Sequence, residues 1–281
     1  MPPTLYHVPR TISSPLVQLI LELDLIDQGA IVVQEMSFAD LKKPEHLAIN
    51  TMGTSPAFQC TQMGLCMWES GAILDYLLER HDTDYQFHPP PTTPTSTPDE
   101  IRLRTKYLQL KQFIIATVYP FIASMYIHAL THGQNLDEEY MAAAKQKCHA
   151  CMGPALATAL GDKPYFLGDN ISVIDLLAAK PLGNAHALGL IAEEAPTLVD
   201  LLERIQARPT YRMAYEGLAK RHEQALAESV VEVEEPNDQE LVLVPKKKRN
   251  PKQAKEATLK KKRFSWALRG RSSSIENEVE C

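Results

Sequence analysis

Few residues in this 281-residue chain are grouped in a way that could do chemistry. The nearest approach to a metal motif is Cys148-His149-Ala150-Cys151, whose cysteine spacing is that of half a zinc site. No second pair matches it, and histidines such as His186 and His222 stand alone, so no metal site is expected. Three hydroxyls, Thr11, Ser13 and Ser14, crowd in front of Pro15 and the apolar run that follows. A hydroxyl there can donate to an anion while the helix dipole adds to the attraction, or it can merely cap the helix. Glu69-Ser70 presents the same choice at the start of a second helical run. Ser70 is either a cap or part of an anion seat, and Glu69 is either a favourable dipole charge or a ligand contact. In Gly53-Thr54-Ser55-Pro56-Ala57-Phe58 a proline stands where a strand begins, which is one of the few strand positions proline tolerates.

Those groups must be held by elements, and the pattern supplies them. Residues 4–8 fit a short strand, followed by a helix with Ser14 as N-cap and Pro15 at the first helical position. Residues 30–38 read as a second strand, and 57–60 and 65–68 as a hairpin around Thr61-Gln62-Met63-Gly64. Ile73, Leu74, Leu77 and Leu78 have helical spacing. Residues 88–100 hold five prolines and cannot form a regular element. Beyond them the pattern is helical almost to residue 227. One helix starts at Thr97 or Asp99 and runs to about Leu130; another is kinked near Gly153-Pro154; a third opens on the capping arrangement Ser172-x-x-Asp175. No window approaches 18 consecutive apolar residues, so no spanning helix is expected. The N-terminus lacks the order of an export signal, and the five cysteines read as reduced thiols of a cytoplasmic or nuclear protein.

Charge is segregated. The net charge is −6, yet residues 245–271 carry twelve Lys or Arg against the single acid Glu256. Residues 228–281 show no sustained apolar period and are expected to form a disordered tail, acidic and then basic. The clusters 246–249 and 260–263 resemble a bipartite nuclear import signal read by importin. The basic run with Phe264 and Trp266 around Ser265 also resembles segments that bind anionic membranes or calmodulin and leave on phosphorylation. A solvated tail folded back on the acidic body is a third reading.

Five fragments in order, across roughly residues 4–225, resemble the cytosolic glutathione transferases. They are LYHVPRTISSPLVQLILELDL, PEHLAINTMGTSPAF, WESGAILDYL, YFLGDNISVIDLL and RIQARPTYRMAY. The resemblance implies an α/β thioredoxin-like domain (1–84), a Pro-rich linker (85–98) and an all-α helical bundle domain (99–227), working as a homodimer. It also implies that Pro56 follows a cis peptide bond, so that the backbone of Ser55 pairs with the cysteinyl unit of glutathione as an added strand does. Ser70 and its neighbouring N–H groups would receive the γ-glutamyl carboxylate, and Glu69 the γ-glutamyl ammonium. The implied activity is conjugation of the glutathione thiolate to a small hydrophobic electrophile. A free thiol titrates near 8.5, so the protein must stabilise the sulfur anion. Thr11 and Ser13 fall where the family keeps its catalytic hydroxyl or thiol; Ser14 and Tyr6 remain open alternatives. Tyr107, Phe113, Tyr119 and Tyr126 are the aromatic candidates for an electrophile pocket.

Overall fold

The computed structural model describes residues 1–132, 138–191 and 195–218. Alternation puts Leu5 and His7 of β1 (Thr4–His7) on one sheet face, and Leu5 lies opposite Phe58 of β3 (Ala57–Cys60), both fully buried. β1 pairs in parallel with β2 (Val32–Glu35) and antiparallel with β3, which pairs antiparallel with β4 (Leu65–Trp68); the order is β2-β1-β3-β4. β2 is shorter than the nine residues expected of it, and three of its four residues are exposed.

Helix α1 (Ser14–Glu22) is buried from Ser14 to Leu21, because it packs on α3 (Ser70–His81) on one side and on the helical region on the other. Each large aliphatic side chain so enclosed contributes about 1.5–3 kcal/mol. The short α2 (Pro44–Leu47) lies before β3. This arrangement is a thioredoxin-like α/β domain, followed by an all-helical one.

The proline-rich segment is less open than a linker. Phe87, His88 and Pro89 are buried, held by Asp82, which accepts from the N–H of Gln86 and Phe87 at 2.8 Å and meets His88 Nδ1 at 2.7 Å. The carbonyl of Phe87 accepts from Val173 N–H at 2.8 Å, tying this segment to the helical domain. Regular structure resumes at α4 (Pro98–Phe113), and Thr97 is its cap through a reciprocal box with Glu100.

The long helix expected to reach about Leu130 is interrupted by a π turn at Ile114–Val118 before α5 (Tyr119–His132). Pro120 has no N–H for the carbonyl four residues back and would clash with it, so the backbone widens there. Pro154 does the same after α6 (Glu138–Lys147), with a π turn at Cys148–Met152 leading into α7 (Gly153–Leu160). The continuous helical stretch Pro98–Thr131 is long and apolar enough to cross a membrane by length and composition. One face of it, Tyr107, Leu110, Ile114, Val118, Ile122 and Met125, packs in the core, but only 22% of its apolar window is buried, and Ile127 and Leu130 are exposed.

Helix α8 (Val173–Ala187) opens on the expected box: Asp175 accepts from Ser172 N–H at 2.7 Å, Ser172 hydroxyl at 2.6 Å and Phe166 N–H at 2.9 Å. Two more helices follow, α9 (Pro196–Gln206) and α10 (Pro209–Glu216). α10 stops at Gly217, whose φ of 112° suits glycine. The helix expected beyond that point, and the tail with its import, membrane and calmodulin readings, lie outside the described residues.

Candidate functional site

Strand register brings three connections to one end of the sheet. Tyr6 is opposite Ala57, and Ala57 is opposite Trp68, so the segments after β1, before β3 and after β4 meet there. They carry Thr11–Ser14, Ser55-Pro56 and Glu69-Ser70. The Ser55–Pro56 peptide is cis, as expected. The segment before it is held by the Thr54 carbonyl, which meets Asn50 Nδ2 at 3.0 Å and His46 Nε2 at 2.9 Å. Neither the N–H nor the C=O of Ser55 has a backbone partner among the described residues.

Glu69 adopts φ 79°, a left-handed conformation that a non-glycine residue enters at a cost of order 1–3 kcal/mol. That turn places Ser70 first in α3, where the opening N–H groups have no helical partner. Ser70 is buried, Glu69 exposed. Ser70 is thus the first helical residue and not the cap.

The Thr11–Ser14 turn differs from expectation in a way that separates its hydroxyls. Ser13, not Ser14, is the N-cap of α1, and Ser14 is the first helical residue; the Ser14 hydroxyl accepts from Arg10 N–H at 3.0 Å. Ser13 is 0% exposed, because its Oγ is drawn into a polar knot beneath the surface. That oxygen lies 2.7 Å from His7 Nδ1, 2.7 Å from Thr11 Oγ1, 3.1 Å from the Val8 carbonyl and 3.2 Å from Ser55 Oγ. Burial, opposed by an interaction with the Ala214 carbonyl of α10, lowers the His7 imidazole to about 4. His7 is therefore neutral. Its Nε2 faces that carbonyl without reaching ideal geometry, which leaves Nδ1 to accept the Ser13 proton. Thr11 Oγ1 donates to the Val8 carbonyl at 2.8 Å and borders the cavity. Tyr6 points elsewhere, donating to Gln59 at 3.2 Å and lining a separate hollow with His46.

A cavity of about 730 Å³ opens beside Thr11, between the α1 turn, α5, α8 and α10. Of the aromatic candidates Tyr119 and Tyr126 line it. Tyr107 does not: it is buried under Arg104 and Lys111, whose charged groups stand 4.8 and 5.5 Å from its ring. Phe113 borders a different, smaller hollow. Burial raises the Tyr119 phenol against a hydrogen bond from Ile12 N–H, so it stays protonated beside the same turn.

Arg10, Phe38, Lys180, Asn184, Tyr211 and Tyr215 also line the cavity, and sequence reasoning passed over all of them. Lys180 had a visible signal, being a cation directly after the apolar run Leu176–Ala179 of α8. The α10 wall is held in place by Glu22 of α1, which accepts from Arg208 Nε and Nη2 at 2.6 Å each and from the Thr210 hydroxyl. Among the described residues no group of three His, Cys, Asp or Glu could hold a metal ion; Cys148 is buried and Cys151 exposed on the π turn.

Family models for the glutathione S-transferase N-terminal domain and C-terminal domain match residues 1–79 and 118–209. The glutathione S-transferase-like protein gedE of Aspergillus terreus is 43% identical over 58 residues, 21% of this chain and 26% of that protein. The glutathione S-transferase-like protein tpcF of Aspergillus fumigatus is 40% identical over 73 residues, 26% of this chain and 31% of that one. The chain thus matches less than a third of the length of these curated relatives. Among solved structures, a glutathione transferase homolog from Lodderomyces elongisporus with two glutathiones per subunit superposes with TM-score 0.60 at 20% identity, covering 77% of this chain and 98% of that one. The transferase URE2P8 of Phanerochaete chrysosporium, solved with oxidised glutathione, gives TM-score 0.61 at 17% identity, covering 79% and 96%. At such identities the likeness speaks for the fold.

Proposed function

The chain belongs to the glutathione S-transferase family, and from that premise we propose that it conjugates the thiolate of glutathione to small hydrophobic electrophiles. The observation that carries the reading is the convergence, by strand register, of Ser55-Pro56, Ser70 at the start of α3 and the Thr11 hydroxyl beside an aromatic cavity. Ser55 would pair through its backbone with the cysteinyl unit, an extended peptide adding to an unpaired edge. The α3 N-terminus with Ser70 would hold the γ-glutamyl carboxylate, and Glu69 the ammonium.

Thr11 would stabilise the sulfur anion. It alone among the Thr11–Ser14 hydroxyls borders the cavity, and it need only turn its proton from the Val8 carbonyl toward sulfur. Ser13 then acts beneath it as a positioning residue. In the chemical step the thiol gives its proton to solvent, sulfur forms a bond to the electrophilic carbon, and the leaving group departs with its electron pair.

One observation favours a second reading, a glutathione-holding module of weak activity: the Thr11 proton is already engaged by Val8. An ultraviolet titration of the full chain with glutathione separates the two. Bound thiolate appearing well below pH ~8.5, with turnover of a chloronitrobenzene, supports the transferase. Binding without ionisation supports the holding module, and no binding overturns both.

A further inference from the structure

The cavity is not a plain apolar pocket. Of the described residues lining it, Arg10 and Lys180 are cationic and Glu216 alone is acidic. Lys180 is partly buried on α8 with its Nζ 2.7 Å from Asn184 Oδ1 and 5.4 Å from the centre of the Tyr126 ring. No carboxylate lies within ion-pair distance of Lys180 among the described residues. Withdrawing a cation from water without an opposite charge is costly, and such a group binds an arriving anion well. The Arg10 backbone is held at the rim with a left-handed φ of 65° and its N–H bonded to Ser14 Oγ, and its side chain is exposed there. The two cations are close enough to repel, and that repulsion adds to burial in lowering Lys180 to about 8. Around them stand flat aromatic walls. Tyr119 and Tyr126 come from α5; Tyr211 of α10 is stacked on Tyr215 at 4.0 Å and held by Gln206.

Resting on the transferase reading for its chemistry, we propose that the ligand this cavity takes as electrophile is an aromatic acid, its carboxylate paired with Lys180 and Arg10 and its ring among Tyr119, Tyr126 and Tyr211. The acid group lies at the α8 side and directs the ring's reactive carbon toward Thr11. A neutral ring of the same shape would leave both cations unpaired.

Binding tests this without requiring turnover. Titration calorimetry on the full chain compares 3,5-dinitrobenzoate with its neutral methyl ester, neither of which has a leaving group. At pH ~7 the acid should bind roughly tenfold or more tightly, the scale of one charge-assisted contact. Lys180→Met should lower acid affinity by about that factor and leave the ester within roughly twofold, while Lys180→Arg keeps most of the preference. The preference should also fade as pH rises through about 8, where Lys180 loses its proton. Burial keeps Tyr119, Tyr211 and Tyr215 protonated there; Arg10, Glu216, Asn184, Gln206 and Tyr126 complete the facing charged and polar groups. Equal affinity for acid and ester in the unaltered protein overturns the proposal, even if Lys180→Met fails to fold. So does equal loss of both ligands in a folded Lys180→Met.

The reactive pair, 4-chloro-3,5-dinitrobenzoate and its methyl ester, then reads the chemistry. Sulfur bonds to the ring carbon as the C–Cl bond breaks, chloride leaves with the electron pair, and the thiol proton passes to water. Preferential acid binding with no turnover of either compound overturns the transferase reading and leaves the acid site supported.

Discussion

His7 makes the buried hydroxyl knot testable through stability. Burial holds its imidazole neutral by lowering it from the ordinary 6.5 to about 4, while the unfolded chain titrates near the ordinary value. Between those two values the unfolded state binds a proton that the native state refuses. The contribution of His7 to stability is therefore complete above pH ~6.5 and is lost as pH falls toward ~4. A gap of about 2.5 units at 1.36 kcal/mol per unit amounts to roughly 3 kcal/mol, most of it, about 2.5 kcal/mol, already lost at pH ~4.5. His7→Asn is the informative perturbation. Its Oδ1 can take the place of Nδ1 as acceptor for Ser13, but it has no proton to gain. The lost ring volume lowers stability by an amount that does not depend on pH. Urea unfolding of both proteins from pH ~7.5 to ~4.5 isolates the titration as the change in their difference, with the variant gaining about 2.5 kcal/mol relative to the parent on acidification. Parallel curves would refute the reasoning, because they would mean that His7 is protonated, or solvated, in the native state. A second readout follows the knot outward: His7→Asn should retain thiol ionisation at Thr11, and His7→Leu, which turns the Ser13 proton onto the Val8 carbonyl that Thr11 also uses, should alter it.

Thr11→Val keeps the shape and removes the hydroxyl. A charge-assisted bond of about 1.5–3 kcal/mol is lost, so the bound thiol should rise by about 1–2 units, read by thiolate absorbance; Thr11→Ser should leave it in place, and an unmoved titration in Thr11→Val would remove Thr11 from the mechanism. Glu22→Ala strands Arg208 and Thr210 at the joint between α1 and α10, where the Glu22 side chain is only 7% exposed. A loss of about 3 kcal/mol in urea unfolding is expected, along with weaker binding in the cavity that α10 walls. Asp175→Asn puts an amide where three donors converge, at Phe166 N–H and at the N–H and hydroxyl of Ser172. It should cost about 1–3 kcal/mol, measured as a lower thermal midpoint with an unchanged thiol titration.

What was legible in the sequence was what is local. Thr97 with Glu100 and Ser172 with Asp175 lie three residues apart, and each box closes within one helical turn. The proline interruptions could be read for the same reason: Pro154 marked its kink, and Pro120 carries the identical signal although it was read through. Ser55-Pro56 and Glu69-Ser70 were singled out through the family resemblance, and strand register explains why they meet. The distinction between Thr11 and Ser13 could not be read that way. The two hydroxyls are equivalent as sequence. Which of them is buried depends on His7 lying across the turn, and His7 in turn stays neutral because it is itself buried, against the opposing pull of the Ala214 carbonyl of α10. The cationic cavity is more remote still. Arg10 belongs to the first domain's opening turn and Lys180 to a core helix of the second, and only the packing of α1 against α8 and α10 makes them neighbours. The division has a functional consequence. Parts proposed to hold glutathione sit at strand and helix ends, where short motifs specify them, whereas the part proposed to choose the second substrate is built from side chains far apart in the chain. Substitutions at Lys180, Arg10 or Tyr211 can therefore change which electrophile is accepted while every motif of the family remains intact.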